Sequence, residues 1–188
     1  DVLMSEDMVI AQCSPTMAGL KTGSLFACPV EDRAELAGSM RRLNATLVPR
    51  GLRMVPVKYT ENKALIYMYR PDRLQQDLKD ETAGRILAQK GYPLDNTSHC
   101  VAELARRLNY GSEFPHEIGL FLGYPSEDVY GFIKEGSGNA KYVGAWRVYG
   151  DEQTAIRRFR QFEKCTRVYC EVFRKNGSFK KLIVNAVN

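Results

Sequence analysis

The sequence predicts a mixed α/β fold of α+β character. It is expected to be one domain over residues 1–188, with a central sheet holding at least two β-hairpins, at about 52–70 and 167–184, covered by several short helices. Three observations predict it. Segments of helical and strand-like period interleave along the chain. The strand-like runs "LRMVPVKY" and "ALIYMYR" are separated only by "TENK", a link short enough to demand antiparallel pairing. The run "RVYCEVFRKNGSFKKLIV" is centred on Asn176-Gly177, a dipeptide suited to a two-residue hairpin turn.

Taken in order, the elements are these. Ser14-Pro15 has the form of an N-cap followed by a proline at the first helical position, where its missing N–H costs nothing. A short helix is therefore predicted from Pro15 to about Lys21, closed near Gly19 or Gly23. Asp32 with Glu35 resembles a capping box, and Ala34, Leu36, Ala37, Met40 and Leu43 follow as a helical stripe. Pro56 in the first strand-like run places that strand at a sheet edge. Asp72 opens one broken or two short helices ending at Gly91. From Ser98, apolar residues at Val101, Leu104, Ala105 and Leu108 give the clearest amphipathic helix. Ser126 and Asp128 cap a short helix through Ile133, "YVGAWRVYG" reads as a strand, and Asp151 starts a helix through about Lys164. In that helix Ala155, Phe159 and Phe162 point inward, and Arg157, Arg158, Arg160 and Lys164 mostly outward.

Composition narrows the function. With 44% hydrophobic and 26% charged residues the chain has the apolar content of a folded domain. Its 27 Lys+Arg against 22 Asp+Glu leave +5, which suits an anionic small ligand but falls short of the basic stripe of a dedicated nucleic-acid binder. Aromatic and basic residues interleave in "YMYR" and "KYVGAWRVY", yet aromatics are ordinary strand formers, and nucleic acid is not an expected partner. Five scattered cysteines, an odd number in a chain of this length, argue against a secreted disulfide scaffold. No apolar run approaches the roughly 20 residues of a membrane span, and "DVLMSEDMVIAQ" lacks a basic region followed by an apolar one. A cytoplasmic protein with reduced thiols is expected.

Several familiar sites are excluded. There is no P-loop signature, and "GSGNAK" puts Lys141 where a dinucleotide fingerprint needs its third glycine. "HEIGL" at 116–120 begins like a zincin helix, but Leu120 stands where the second histidine belongs. With only His99 and His116 in the chain, no metal site is assigned, and the residues specify neither a cofactor nor an oligomeric state.

Two stretches keep chemical interest. In "QCSPTMAGLKTG" the predicted helix start would lie just after Cys13, and its free N–H groups would favour a thiolate. The same cysteine could equally be a small buried hydrophobe. In "EFPHEIGLFLGYPSEDVYGFI", His116 sits between Glu113 and Glu117 and could work as a base or acid, or simply bond a backbone carbonyl.

"CSPTMAGLKTGSLF", "FPHEIGLFLGYPSEDVYGFI" and "WRVYGDEQTAIRRFRQFEKCT" closely resemble segments of an uncharacterised bacterial family of unknown function, frequent in anaerobic bacteria. The resemblance spans about residues 10 to 170. Family members often carry histidine just before the cysteine and another cysteine before the Gly-x-Trp strand; Gln12 and Val143 stand there in this chain, against a metal or redox site built on those extra groups. The resemblance implies no activity, cofactor or substrate.

Three functional readings follow. The favoured one is a small-molecule or protein-binding module with a ligand site between the 13–21 and 114–124 segments, contacted by Thr16, Lys21 and Tyr124. The alternative is a thiol-dependent acyl-transfer or hydrolytic enzyme with Cys13 as nucleophile, His116 as base and Glu117 or Glu113 orienting it. Thiol redox or metal handling through Cys13 and His116 is a third possibility.

Overall fold

The computed structural model describes residues 4–186. The first three residues of the N-terminal segment and the last two of the chain lie outside it. The fold is mixed α/β. A first helix, α1 (Glu6–Met17), leads into strand β1 (Gly23–Pro29), helix α2 (Arg33–Leu47) and the strands β2 (Arg53–Tyr59) and β3 (Lys63–Tyr69). Helices α3 (Pro71–Asp77), α4 (Glu81–Gln89), α5 (Thr97–Tyr110), α6 (Ile118–Phe121) and α7 (Ser126–Glu135) follow. Two-residue strands β4 (Tyr142–Val143) and β5 (Arg147–Val148) precede the long helix α8 (Glu152–Asn176).

The main sheet is antiparallel in the order β1-β3-β2. The predicted hairpin at 52–70 is present as β2–β3, and Pro56 does lie on an edge strand, at a register shift before Lys58. Central β3 divides the interior by alternation. Ala64, Ile66 and Met68 join a core with Val9, Cys13 and Leu47, while Leu65, Tyr67 and Tyr69 turn to a second core with Leu87, Leu104 and Phe121. A third, smaller cluster gathers Trp146, Val148, Phe159 and Phe162 beside the second. No described helix is long and apolar enough to cross a membrane.

Three sequence expectations are corrected. The hairpin predicted at 167–184 is absent, because α8 continues through Asn176, where Gly177 at φ +65° closes it as a left-handed cap. The apolar residues Tyr169, Val172 and Phe173 recur at helical spacing and pack on the first core. Over this short run both periods fit the sequence; packing against α1 selects the helix. Likewise "YVGAWRVYG" is two small strands rather than one. Finally, Pro15 does not start a helix: Ser5 caps α1 and Pro15 lies in its last turn. The Ser14 hydroxyl donates to the Ile10 carbonyl within this turn. Cys13 is therefore mid-helix, far from free N–H groups.

Candidate functional site

The site grows from the turn between α1 and β1. The chain leaves α1 through Gly19, at φ +78°, and Arg73 of α3 clamps the turn by donating to the carbonyls of Gly19 and Leu20. Thr22 follows, its hydroxyl donating to the Asp77 carboxylate. Opposite, α6 ends at Gly123 with φ +79°, pressed so tightly on Thr22 that a Cβ there would fall 2.9 Å from Thr22 Oγ1. The Tyr67 hydroxyl, donating to the Phe121 carbonyl, ties α6 to the sheet. These contacts bring the 13–22 and 118–126 segments together.

Beyond Gly123 the aromatic residues form a wall. Tyr124 stacks on Trp146 with ring centres 5.0 Å apart, and the Lys21 ammonium lies 5.6 Å from the Tyr124 ring. From α8 the Arg158 guanidinium sits 5.2 Å from the Trp146 ring and 5.8 Å from Phe162, donating to the Gly123 carbonyl at 3.4 Å. Thr22, Arg73, Asp77, Tyr124, Ser126 and Arg158 line a cleft of about 810 Å³.

The electrostatics of this cleft are unbalanced at one end. Burial pushes the Lys21 ammonium down to about 8, and the nearby Arg158 charge pushes the same way. Arg158 is itself held below the ordinary arginine value by burial and then by Arg73. Among the described residues, no carboxylate lies within 4 Å of Lys21, Arg73 or Arg158. Asp77, the carboxylate closest in charge effect to both arginines, is raised by burial and is bonded to Thr22 instead. Asp128 accepts from Trp146 Nε1–H and from the Tyr149 and Gly150 amides, at 2.8 to 2.9 Å. The acids further along the cleft are also engaged or exposed: Asp80 accepts the Ala83 amide at the start of α4, and Glu127 faces solvent.

The sequence-predicted residues divide. Lys21 and Tyr124 meet each other, and Tyr124 lines this cleft while Lys21 does not. Thr16 does not reach it: buried, it shares a 2.7 Å hydrogen bond with the Ser24 hydroxyl, while its carbonyl accepts from Arg70. Cys13 belongs to the core on one face of the sheet, whereas His116 lines a cavity with Leu25, Ile118 and Val129 on the other. The Cys13 thiol is pushed up to about 12 by burial, against the smaller opposing effects of Lys21 and Ser24. Of the two readings of Cys13, its position in the core is that of a small buried hydrophobe. Glu117 does not orient His116 either: buried, it accepts from the Tyr92 hydroxyl at 2.8 Å, with Lys90 and Arg107 each at 3.9 Å. Glu113 is exposed. The nucleophile, base and orienting carboxylate are thus not assembled.

Sequence reading missed Arg73, Asp77 and Arg158. For Arg158 a signal existed: it stands between Ala155 and Phe162 at i+3 and i−4, on the flank of the buried stripe. Arg73 and Asp77 reach the cleft through the fold, with no local pattern to mark them.

Sheet and cleft define a mixed α/β protein built on a three-stranded antiparallel sheet, with a charged cleft where its N-terminal turn meets its later helices. A family model described as "Protein of unknown function (DUF3793)" matches residues 9–183, and the chain belongs to that family. No curated protein and no solved structure matches it significantly.

Proposed function

We propose that the protein is a binding module for a small phosphate-bearing molecule, held in the cleft between the 19–22 turn and the 123–126 segment. The observation that carries this reading is the convergence of Arg73 and Arg158 on an open cleft without an ion pair among the described residues, with the Lys21 ammonium 5.6 Å from the Tyr124 ring that lines it. Burying or crowding like charges costs free energy unless an opposite charge is supplied. A tetrahedral dianion supplies it, and arginine forks match phosphate oxygens in geometry. Pro125 precedes α7 without a side-chain cap, so the Ser126 and Glu127 amides at the start of this ten-residue helix are available to the same anion. With all five cysteines unpaired, a cytoplasmic setting suits the protein.

The test is calorimetric titration with inorganic phosphate and pyrophosphate at constant ionic strength, with Arg158→Gln as the comparison. Saturable binding that weakens at least about tenfold in the variant, a loss of about 1.4 kcal/mol, supports the reading. Binding that is absent, or equal in both proteins, overturns it.

A further inference from the structure

Beside the charged cleft lies a second cavity of about 320 Å³ that the preceding argument does not use. Its floor is Leu25, Ile118, Leu122, Val129 and Trp146, and its mouth is ringed by Phe114, His116 and Phe132. The cavity opens to solvent at this mouth, where Phe114 keeps 52% of its surface exposed. The rings at the mouth pack in tilted pairs: His116 lies 4.8 Å from Phe132 at 60°, and 5.6 Å from Phe114 at 56°. On the floor Trp146 lies against Tyr124. Such an array offers ring faces and edges to an inserted planar group.

The polar groups of the cavity are few. Asp128 is saturated by the Trp146, Tyr149 and Gly150 N–H donors. That leaves the His116 imidazole and the half-buried Arg147 guanidinium for the edge of a ligand. Tyr124 belongs to both compartments, lining the apolar cavity and the charged cleft alike. Its ring has Trp146 on the cavity side and the Lys21 ammonium near it on the cationic side. A molecule crossing Tyr124 would bury an apolar portion in one compartment and an anion in the other.

We infer that this cavity receives the planar ring of the ligand whose phosphate occupies the cleft, making the ligand class an aromatic phosphate ester. The inference rests on the reading of the cleft as an anion site and specifies what else its ligand carries.

The experiment titrates the protein calorimetrically with inorganic phosphate, 1-naphthyl phosphate and hexyl phosphate, and repeats the series in Phe132→Ala. The expected result is that 1-naphthyl phosphate binds at least about tenfold tighter than inorganic phosphate and tighter than hexyl phosphate. Phe132→Ala should abolish that gain and leave inorganic phosphate binding unchanged, which also shows that the variant is folded. Should Phe132→Ala not fold, Phe132→Leu keeps apolar bulk without the ring and is expected to bring the two ester affinities together. Equal affinity for inorganic and naphthyl phosphate in the parent protein overturns the ring site while the anion site stands. A naphthyl gain that survives both Phe132 variants, or a hexyl gain as large, overturns it as well. Absence of binding by all three compounds removes both readings at once.

Discussion

Replacing Lys21 with methionine should make the empty protein more stable, and the effect should depend on pH in a defined direction. Burial and the nearby Arg158 charge move the Lys21 ammonium from its ordinary 10.5 to about 8. The folded protein therefore pays for holding this charge at neutral pH, by at most about 3 kcal/mol from the displacement itself. The part of Lys21 that stays exposed lets solvent screen some of this, leaving about 2 kcal/mol. The sign is fixed by proton counting. Between about 8 and 10.5 the unfolded chain keeps the Lys21 proton that the folded chain has released, so the parent gains stability as pH rises through this window. Below about 8 both states are protonated and the full penalty persists. Methionine is flexible, apolar and of similar length, so it fills the space without the charge. Urea denaturation of parent and Lys21→Met from pH 7 to 10.5 measures the difference. It should favour the variant by about 2 kcal/mol at pH 7 and shrink toward zero at the alkaline end. A variant that is no more stable at pH 7, or a difference independent of pH, refutes the reasoning. The same substitution should weaken phosphate binding, since the stored repulsion is what the anion relieves.

Other substitutions follow from the geometry. Gly123→Ala forces a side chain onto a φ +79° backbone and within 2.9 Å of Thr22 Oγ1; a loss of about 2–4 kcal/mol is expected in denaturant titration, with weaker phosphate binding. Arg70 is buried and donates to the carbonyls of Thr16, Met17 and Val184 at 2.7 to 2.9 Å. Arg70→Met should cost about 3 kcal/mol or more by leaving these acceptors bare, and Arg70→Lys should recover little, because an ammonium cannot match the guanidinium fork. Asp128→Ala frees three donors, including the indole N–H of the only tryptophan. It should lower stability by about 2–4 kcal/mol and shift the fluorescence maximum, with Asp128→Asn intermediate. For the thiols, iodoacetamide at pH 8 followed by peptide mass spectrometry should label half-buried Cys170 first and Cys13 only on unfolding. Rapid labelling of Cys13 in the native protein would contradict its placement.

Much of the frame was legible because local signals and burial agreed. Asp32 does cap α2, its side chain accepting from Ala34, and Leu36, Met40 and Leu43 are buried as the stripe required. The β2–β3 hairpin and its proline-bearing edge follow from two strand-like runs and a short link. Legibility failed where one pattern had two solutions. Asn176-Gly177 can turn a hairpin or end a helix, because both need a glycine at positive φ. Ser14-Pro15 imitates a helix start, but Ser5 lies nine residues earlier with its hydroxyl already accepting from Met8, and the apolar contacts of Val9, Ile10 and Cys13 carry the helix past Pro15. The site was half legible for a different reason. Lys21 and Tyr124 stood out within their own segments, whereas Arg73, Asp77 and Arg158 acquire meaning only when α3 and α8 close on the same turn.

The most direct test of the central claim is an amide and arginine side-chain NMR titration of the uniformly labelled protein with inorganic phosphate. The account predicts saturable shifts centred on Thr22, Gly123, Ser126 and Glu127, together with the side-chain signals of Arg73 and Arg158. Shifts scattered over the exposed basic residues of α8, or no saturable shifts at all, would contradict it.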